Sequence, residues 1–497
     1  MKKTVFLFAA LLFCAVKVYS QMQTVVAKPA NDFLNSIGVN TSINERGEYI
    51  DTTLKTVKYL GVRWLRSGPA ENTDCNKRLY REAGVRFSFA LPTEGDAHTV
   101  KGIKYPDGIT RLIEGAHRLI NEVSPDALIG FEGCNEPNNW KITYHGIESG
   151  GDVTWRELAR YHRDMYQAVK ADSVLRKYPV WSFSETGGAF DNMGVQFLKV
   201  PENATDVDAE FRGTTFADYA TCHNYFIHPE WRPHSNNQTW LASDPSRNGK
   251  GDNLYGNFGL TWAKKFQGYT DEELLSLPRV TTETGTTVTA PFVWDNKNWK
   301  WTDKPNPEYE NPAQRITEED QALLFLSCYL AQFKQGWKYT AMYILRDRVD
   351  EAGNQSFGFF KPEWNEQSQR YLSKPRLAAH YMHNFTTILA DDKSIKQPAS
   401  LVYDITPRSE TVHDLLLQKS DGTLMLIVWG EKYEFGAKAD DVEVQFGKKH
   451  QDVRIYNPAQ YDPSNPEKGV QPVLVEKNIR SLKLSMLNHP YIIEIRN

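Results

Sequence analysis

Three glutamates of this chain have the type and setting that catalysis by carboxyl groups requires. Glu132 and Glu136 lie four positions apart in the stretch GFEGCNEPNNW at residues 130–140, and Glu283 lies in the stretch TETG at residues 282–285. A carboxylic acid donates a proton, and a carboxylate accepts one or attacks an electrophilic carbon. Two such groups acting on one bond need a fold that brings distant parts of the chain together.

The sequence from residue 35 to about 390 predicts such a fold. Short β-rich runs alternate there with helical patterns, which is typical of parallel strands joined by helices. The helical pattern is illustrated by apolar residues spaced three and four apart, and Thr317 is a predicted N-cap. The eight predicted strands are SIGVN (36–40), GVRWLRS (61–67), VRFSFAL (85–91), ALIGFEGCN (127–135), PVWSFS (179–184), YATCHNYF (219–226), RVTTETG (279–285) and TAMYILRD (340–347).

Eight such units predict an α/β fold, a (β/α)8 TIM barrel. In this architecture the carboxyl ends of the strands carry the loops that build an active site, and both Glu136 and Glu283 fall at strand ends. Two carboxylates flanking a bond are the groups that break glycosidic linkages. Glu132 shares the inward-facing parity of Glu136 but lies deeper, so we interpret it as structural. Glu185, in the similar stretch SETGG, is a rival to Glu283.

The stretch FEGCNEPNN resembles the strand-four signature of clan A glycoside hydrolases, and most closely that of family 39 and its relatives. The resemblance covers most of residues 35–390. It implies that Glu136 is the general acid/base, that Asn135 hydrogen-bonds the sugar 2-hydroxyl and that Glu283 is the nucleophile. It also implies retention of anomeric configuration, with the two carboxyl groups about 5–5.5 Å apart.

Other strand ends fit the same resemblance. Arg66 is similar to the arginine that steadies the charge of the nucleophile, and the stretch HNY supplies His223 and Tyr225, the latter as a hydrogen-bond donor to Glu283. Each also has a structural interpretation: an ion pair at the rim, a core histidine, a packing tyrosine. Tyr343 stands where relatives have a tryptophan under the reactive sugar, which leaves the sugar open.

The two proposed catalytic carboxyl groups have opposite requirements. A nucleophile must be ionised, so we expect cationic and hydroxyl neighbours to lower the pKa of Glu283. A general acid must hold a proton, so we expect the pKa of Glu136 to be raised, in part by the charge of Glu283.

Two long loops, at about residues 227–278 and 286–312, are predicted to shape the substrate site. Trp140, close to Glu136, is the best candidate for stacking on a sugar ring. The first loop also carries side chains that could read an acidic sugar, namely His228, Arg232 and His234.

Residues 1–20 predict a cleavable bacterial signal peptide, so we expect a secreted or periplasmic protein with no membrane insertion. The formal net charge of −4 argues against nucleic acid as a partner. Without a CxxC pair, an HExxH motif or EF-hand spacing, no metal and no cofactor are predicted. Cys75, Cys134, Cys222 and Cys328 are predicted to be free.

The chain of 497 residues is long enough for two domains. We assign residues 21–394 to the catalytic barrel and residues 395–497 to a C-terminal β-sandwich, because short alternating runs such as VHDLLLQ and LMLIVWG follow one another there around an Asp421-Gly422 turn. The sandwich is expected to brace the barrel; glycan binding is the alternative.

These features predict a secreted retaining glycoside hydrolase that cleaves O-glycosidic bonds of a polysaccharide or oligosaccharide. Two alternatives stay open. One is a carbohydrate-binding barrel that has lost catalysis, and the other is a clan member that acts on arabinofuranosides or uronides.

Overall fold

The computed structural model describes residues 22–67, 73–137, 139–184, 199–205, 208–226, 235–244, 276, 278–295, 298, 300–349 and 356–496. The predicted signal peptide at residues 1–20 lies outside them. Before residue 400 the strands are β1 Gln23–Val26, β2 Lys28–Pro29, β3 Ile37–Asn40, β4 Trp64–Ser67, β5 Arg86–Ala90, β6 His98–Val100, β7 Ile103–Tyr105, β8 Leu128–Glu132, β9 Ile142–Tyr144, β10 Ile147–Ser149, β11 Ala220–Cys222, β12 Arg279–Thr284, β13 Phe292–Asp295, β14 Lys300–Pro305, β15 Tyr339–Met342, β16 Phe360–Asn365 and β17 Arg370–Pro375.

Seven of these strands form one parallel sheet in the order β11-β12-β15-β3-β4-β5-β8. They correspond to seven of the eight predicted runs. The remaining run, PVWSFS, is not a continuous strand. It joins the two edges of the sheet through isolated parallel bridges, from Val180 to Phe131 and from Trp181 to Tyr219. Pro179, which opens this run, has no N–H to donate to a ladder.

Helices separate and cover the strands, as the apolar spacing predicts. The α-helices are α1 Ala30–Ser36, α2 Ile50–Leu60, α3 Thr73–Ala83, α4 Gly108–Glu122, α5 Arg156–Ala171, α6 Gln238–Ser243, α7 Pro307–Glu310, α8 Glu318–Lys334 and α9 Leu377–Leu389. The predicted N-cap at Thr317 is confirmed: its side chain accepts a hydrogen bond from the N–H of Asp320, and Asp320 bonds back in a capping box. The following α8 is buried along most of its length.

Large aromatic side chains fill the interior of the sheet near the amino-terminal ends of its strands. Trp64 opens β4 and Tyr339 opens β15, and their rings meet at 5.6 Å. Trp181 lies 6.1 Å from Trp64. Two positions on β3 and β8 require glycine because of these rings. A Cβ on Gly38 would lie 2.2 Å from Trp64, and a Cβ on Gly130 would lie 2.8 Å from Trp181.

Two further sheets contain the strands after residue 400. A four-stranded sheet has the order β1-β18-β21-β24, and a six-stranded sheet has the order β2-β19-β20-β25-β22-β23. Side chains from both sheets share one buried apolar cluster, for example Tyr403 and Val444 from the first, and Leu426 and Ile493 from the second. The strands are β18 Ser400–Thr406, β19 Val412–Gln418, β20 Leu424–Gly430, β21 Asp440–His450, β22 Asp452–Tyr456, β23 Pro472–Glu476, β24 Ile479–Met486 and β25 Pro490–Arg496.

The first strands of the described chain belong to these C-terminal sheets. Residues 23–26 pair antiparallel with residues 400–403, and residues 28–29 pair with residues 417–418. The sequence assigns residues 21–394 to the barrel, so this part of the assignment differs from the structure. A local pattern cannot reveal such a pairing, because its partner lies at the opposite end of the chain. Among the described residues, no helix is long and apolar enough to cross a lipid bilayer.

Candidate active site

Polar side chains converge where the parallel strands end. Arg66 is the penultimate residue of β4, Glu132 ends β8, and Glu283 is the penultimate residue of β12. His223 and Tyr225 follow β11 directly. Because the carboxyl ends of parallel strands meet at one end of the sheet, residues from four different parts of the chain reach a common site.

Arg66 is the centre of this site. Its Nε and Nη2 atoms donate to the two oxygens of Glu132 at 2.8 and 2.7 Å. Its Nη1 atom donates to Oε2 of Glu283 at 2.9 Å, and Nη2 also reaches Oδ1 of Asn135 at 2.7 Å. Burial lowers the pKa of Arg66. The negative charges of Glu132 and Glu283 raise it by a larger amount, so the net shift of the pKa is upward. The guanidinium is therefore a permanent cation beside Glu283.

Glu132 has the structural role that its depth predicts. Its side chain is fully buried, and it binds the guanidinium of Arg66 through both carboxylate oxygens. The hydroxyl of Ser184 donates a further hydrogen bond to it. A buried charge of this kind is stabilised only when it is paired and hydrogen-bonded. Glu132 thus fixes the orientation of Arg66 from the side away from Glu283.

Glu283 accepts hydrogen bonds from three side chains. Besides Arg66, the hydroxyl of Tyr225 donates to its Oε1 atom at 2.5 Å, and Nδ2 of Asn40 donates to its Oε2 atom at 3.3 Å. Its side chain retains 13% exposure. The carboxyl group is thus held in one orientation while one side of it stays open.

Glu136 has a constrained backbone. Its φ angle is +39°, in the left-handed region that residues other than glycine seldom adopt, at a cost of about 1–3 kcal/mol. The N–H of Glu136 donates to the carbonyl of Ser184 at 2.8 Å, and its own carbonyl accepts from the N–H groups of Asn139 and Trp140, also at 2.8 Å. These bonds maintain the turn that presents the Glu136 side chain.

His223 lies between the two carboxyl groups. Its Nδ1 atom is 2.8 Å from Oε1 of Glu136 and 3.9 Å from Oε2 of Glu283, and its ring is fully buried. Nδ2 of Asn139 donates to the other oxygen of Glu136 at 3.1 Å. One ligand-type atom from each of Glu136, His223 and Glu283 lies within 4.8 Å of the others.

This close group of three is also the arrangement that a metal ion uses. The guanidinium of Arg66 opposes that use, because it already places a positive charge on Oε2 of Glu283. Like charges this close repel strongly in a buried site. The donor set therefore suits a pair of carboxyl groups that share protons better than it suits a cation.

The pKa directions differ from those expected from the sequence. Burial raises the pKa of Glu136, but the hydrogen bond from His223 and its charge lower it more, so the net shift is downward. Burial also raises the pKa of Glu283, and the charge of Glu136 adds to this effect; His223, Arg66 and Tyr225 offset it only in part. The difference has two causes: burial is the largest influence on the pKa of Glu283, and His223 pairs with Glu136 more closely than with Glu283.

No family model matches this sequence, and no curated protein matches it. Solved structures do match its fold. A family 39 glycoside hydrolase from the gut symbiont Bacteroides cellulosilyticus WH2 has a TM-score of 0.51 and 13% identity, with 95% of this chain and 83% of that chain covered. A family 51 arabinofuranosidase from Xanthomonas axonopodis pv. citri has a TM-score of 0.51, 12% identity and coverage of 96% and 100%.

A family 44 xyloglucanase from Paenibacillus polymyxa is equally similar, with a TM-score of 0.51, 11% identity and coverage of 96% of this chain and 100% of that chain. The fold is that of clan A glycoside hydrolases. The similarity to clan A read from FEGCNEPNN is therefore confirmed at the level of the fold. At these identities the neighbours carry no information on the sugar.

Most residues that the clan A resemblance selects lie in one place. Arg66, Glu136, His223, Tyr225 and Glu283 are joined by the hydrogen bonds described above. Asn135 accepts from Arg66, so its carbonyl oxygen is turned inward and its amide nitrogen is the group left to contact a ligand.

Tyr343 and Trp140 lie at the edges of the site. The Tyr343 ring meets Phe357 edge-on at 5.5 Å, and Phe357 meets Tyr225 in the same way at 5.8 Å. Tyr343, which stands where the resemblance places a tryptophan, therefore belongs to an aromatic group with Phe357 and Tyr225. Tyr225 is the hydrogen-bond donor to Glu283. Trp140 is 60% exposed, and its N–H donates to the carbonyl of Glu136.

Sequence reasoning missed three contributors: Asn40, Asn139 and Phe357. Asn40 ends β3, and its position at a strand end was an available signal. Phe357 lies many residues after β15, the last strand of the parallel sheet, and no sequence pattern pointed to it. Several other sequence candidates lie outside the described residues, namely Glu185, His228, Arg232 and His234.

Proposed function

We propose that the protein is a secreted glycoside hydrolase that cleaves O-glycosidic bonds of a polysaccharide or oligosaccharide with retention of configuration. The observation that carries the proposal is the placement of Glu136 just after the carboxyl end of β8 and of Glu283 at the carboxyl end of β12, with one carboxylate oxygen of each within 4.8 Å of the other. Retaining enzymes hold their two carboxyl groups about 5–5.5 Å apart, which leaves no room for a water between them.

In the first step the carboxylate of Glu283 attacks the anomeric carbon, and the bond from that carbon to the leaving oxygen breaks. Glu136 gives its proton to that oxygen. In the second step Glu136 takes a proton from water, whose oxygen attacks the same carbon, and the ester bond to Glu283 breaks. Electrons and protons balance, and both carboxyl groups return to their starting state.

The neighbours of Glu283 suit the nucleophilic role. Arg66 and Tyr225 hold both of its oxygens and stabilise the charge that returns when the glycosyl ester breaks. When the ester forms, the negative charge of Glu283 disappears, and the pKa of Glu136 falls further. Glu136 then becomes a better base for the attacking water.

The pKa values of the two carboxyl groups are shifted in opposite directions in the free site. Contacts with His223 lower the pKa of Glu136, and burial raises the pKa of Glu283. A leaving-group oxygen within reach of Glu136 favours its protonated form, because only that form can donate to it. Contact of the leaving-group oxygen with Glu136 therefore opposes the lowering of its pKa by His223.

The remaining features are consistent with this proposal. The sequence of residues 1–20 supports secretion through a bacterial signal peptide. The isolated bridges at residues 180–184 support an eight-stranded closed barrel, and the shared cluster of Tyr403 and Leu426 supports a C-terminal β-sandwich in residues 395–497. Nucleic acid is not an expected partner.

The test is product release from a panel of polysaccharides and aryl glycosides, which includes arabinofuranosides and uronides, with wild type, Glu136→Gln and Glu283→Gln in parallel. Aryl glycosides with dinitrophenyl leaving groups separate the two roles, because such groups leave without protonation. Glu136→Gln should form the glycosyl ester with them at near wild-type rates, whereas Glu283→Gln should not react. Binding without turnover by wild type would instead identify a catalytically inactive carbohydrate-binding protein.

A further inference from the structure

A buried carboxylate of the C-terminal sheets is bound to a helix of the barrel. Glu431 follows β20 and has no exposed surface. Its Oε1 atom accepts from the hydroxyl of Thr239 at 2.6 Å and from Nε1 of Trp429 at 3.3 Å. Its Oε2 atom accepts from the N–H groups of Thr239 and Trp240 at 3.0 and 3.2 Å. Three of these four donors belong to α6.

Other contacts hold the same end of α6 against the C-terminal sheet. The N–H of Asn237 donates to the carbonyl of Glu431 at 2.9 Å. Nε2 of His413 lies 2.8 Å from Oδ1 of Asn237, and the His413 ring stacks on Trp240 with centroids 4.1 Å apart. The start of α6 is therefore docked on β19 and on the end of β20.

The other end of α6 is bound to the barrel next to the proposed active site. The carbonyl of Ala242 accepts from Nδ2 of Asn224 at 3.1 Å. Asn224 is fully buried and is flanked in sequence by His223 and Tyr225. Residues that contact the two carboxyl groups thus adjoin the residue that holds α6.

Asn224 is also bound to the strand that carries Glu283. Its Oδ1 atom accepts from the hydroxyl of Thr281 at 2.8 Å, and its carbonyl accepts from the hydroxyl of Thr284 at 3.1 Å. The backbone at residues 223–225 is therefore held on two sides, by α6 and by β12. A shift of α6 would move Asn224 and, with it, the side chains on either side.

We propose that Glu431 is a positioning residue for the active site, through which the C-terminal sheets help to orient the groups beside the two carboxyl groups. The inference rests on the proposed function. Glu431 acts through α6 and Asn224 on His223 and Tyr225, and it touches neither substrate nor the reacting atoms. A small displacement of groups that orient a nucleophile is enough to slow an enzyme greatly.

Three variants test the proposal: Glu431→Ala, Glu431→Gln and, as a matched control, Lys419→Met. Lys419 also joins the C-terminal sheets to the barrel, through Nζ to the carbonyl of Ile388 at 2.7 Å, but it does not contact α6. Hydrogen–deuterium exchange of residues 220–226 measures whether the active-site segment has loosened. The values of kcat, KM and the pH profile are measured on the same samples, with the substrate that the panel of glycosides identifies.

We expect Glu431→Ala to speed exchange at residues 220–226 and to lower kcat by about tenfold or more, with KM changed by less than about twofold. Glu431→Gln should lie between Glu431→Ala and wild type, because one amide oxygen replaces only one of the two accepting oxygens. The pH limits of kcat should shift in Glu431→Ala. Lys419→Met should leave exchange, kcat and pH limits at wild-type values.

Wild-type exchange and kcat in folded Glu431→Ala would overturn the proposal, as would equal effects in Lys419→Met. If Glu431→Ala gives no folded protein, Glu431→Gln decides: unchanged exchange and unchanged kcat overturn the proposal. Exchange does not depend on turnover. A wild type without activity would therefore refute the proposed function, while the exchange data would still decide whether Glu431 holds residues 223–225.

Discussion

Both carboxylate oxygens of Glu132 accept hydrogen bonds from Arg66, at 2.7 and 2.8 Å. This pairing separates the two glutamates of the FEGCNEP stretch. Glu132 is fully buried and holds the guanidinium, whereas Glu136 retains 13% exposure and lies near Glu283. One stretch of sequence therefore supplies an anchor for Arg66 and, four positions later, the carboxyl group proposed to act as the acid.

Glu132→Gln should damage both stability and activity. The variant leaves Arg66 buried with half of its pairing removed, which costs about 3–5 kcal/mol in the free energy of unfolding. Loss of the fixed guanidinium should lower kcat/KM by about 10²-fold. Urea unfolding and steady-state kinetics measure the two effects. The control is Glu157→Gln, which weakens a partly buried pair with Arg160 on α5 that makes no hydrogen bond to the site residues, and it should lower stability only.

Tyr225→Phe should lower kcat while the fold is kept. The hydroxyl donates to Glu283, and a hydrogen bond to a charged group is worth about 1.5–3 kcal/mol, or about 10- to 10²-fold in rate. Tyr329→Phe is the matched control, because its hydroxyl donates to the carbonyl of Gly38 at 2.7 Å and does not contact either carboxyl group. A kcat for Tyr225→Phe equal to that of the control would remove this hydroxyl from the mechanism.

His223→Phe should move the alkaline limit of kcat/KM upward. The hydrogen bond from His223 lowers the pKa of Glu136, so its loss raises that pKa and the acid form persists to higher pH. Asn139→Ala removes a weaker donor to Glu136 and should cause a smaller upward shift. A limit that stays in place, or moves downward, in His223→Phe would contradict the assignment of Glu136 as the acid.

The docking of α6 should weaken in acid. Burial lowers the pKa of His413 from 6.5 to about 3 in the folded protein. Since the folded state binds fewer protons than the unfolded state between these values, stability falls as the pH drops through that range, by up to about 1.4 kcal/mol per pH unit.

His413→Phe, which keeps a ring against Trp240, should remove this contribution. Urea unfolding of wild type and variant at pH 7.5, 5.5 and 4.5 measures the two slopes. If the free energies of unfolding of wild type and His413→Phe changed equally with pH, the protonation of His413 would not differ between the folded and unfolded states.

Gly38→Ala should prevent normal packing of the sheet interior. The added Cβ would lie 2.2 Å from the Trp64 ring, a clash that costs at least about 1–3 kcal/mol. Trp64→Leu in the same chain frees space and should restore part of that loss. The double-mutant cycle on the free energy of unfolding is the measurement, and additive effects of the two changes would show that these residues do not compete for space.

The sequence predicted the elements well and the long-range contacts less well. Alternating patterns located seven parallel strands, and strand-end positions selected Arg66, Glu136 and Glu283. The same patterns could not show that residues 23–29 join sheets formed after residue 400, since pairing between chain ends leaves no local periodicity. The predicted pKa directions of Glu136 and Glu283 were wrong for a related reason: they depend on how deeply Glu283 is buried and on how His223 divides its contacts between the two carboxyl groups.

The aromatic cluster of Trp64, Trp181 and Tyr339 limits the path by which a ligand can reach the carboxyl groups. These side chains occlude the amino-terminal side of the sheet interior, opposite the face where the carboxyl groups lie. A ligand therefore cannot pass through the interior of the sheet from one end of the strands to the other. Under the proposed function, saccharides enter and leave on the side where the carboxyl groups lie.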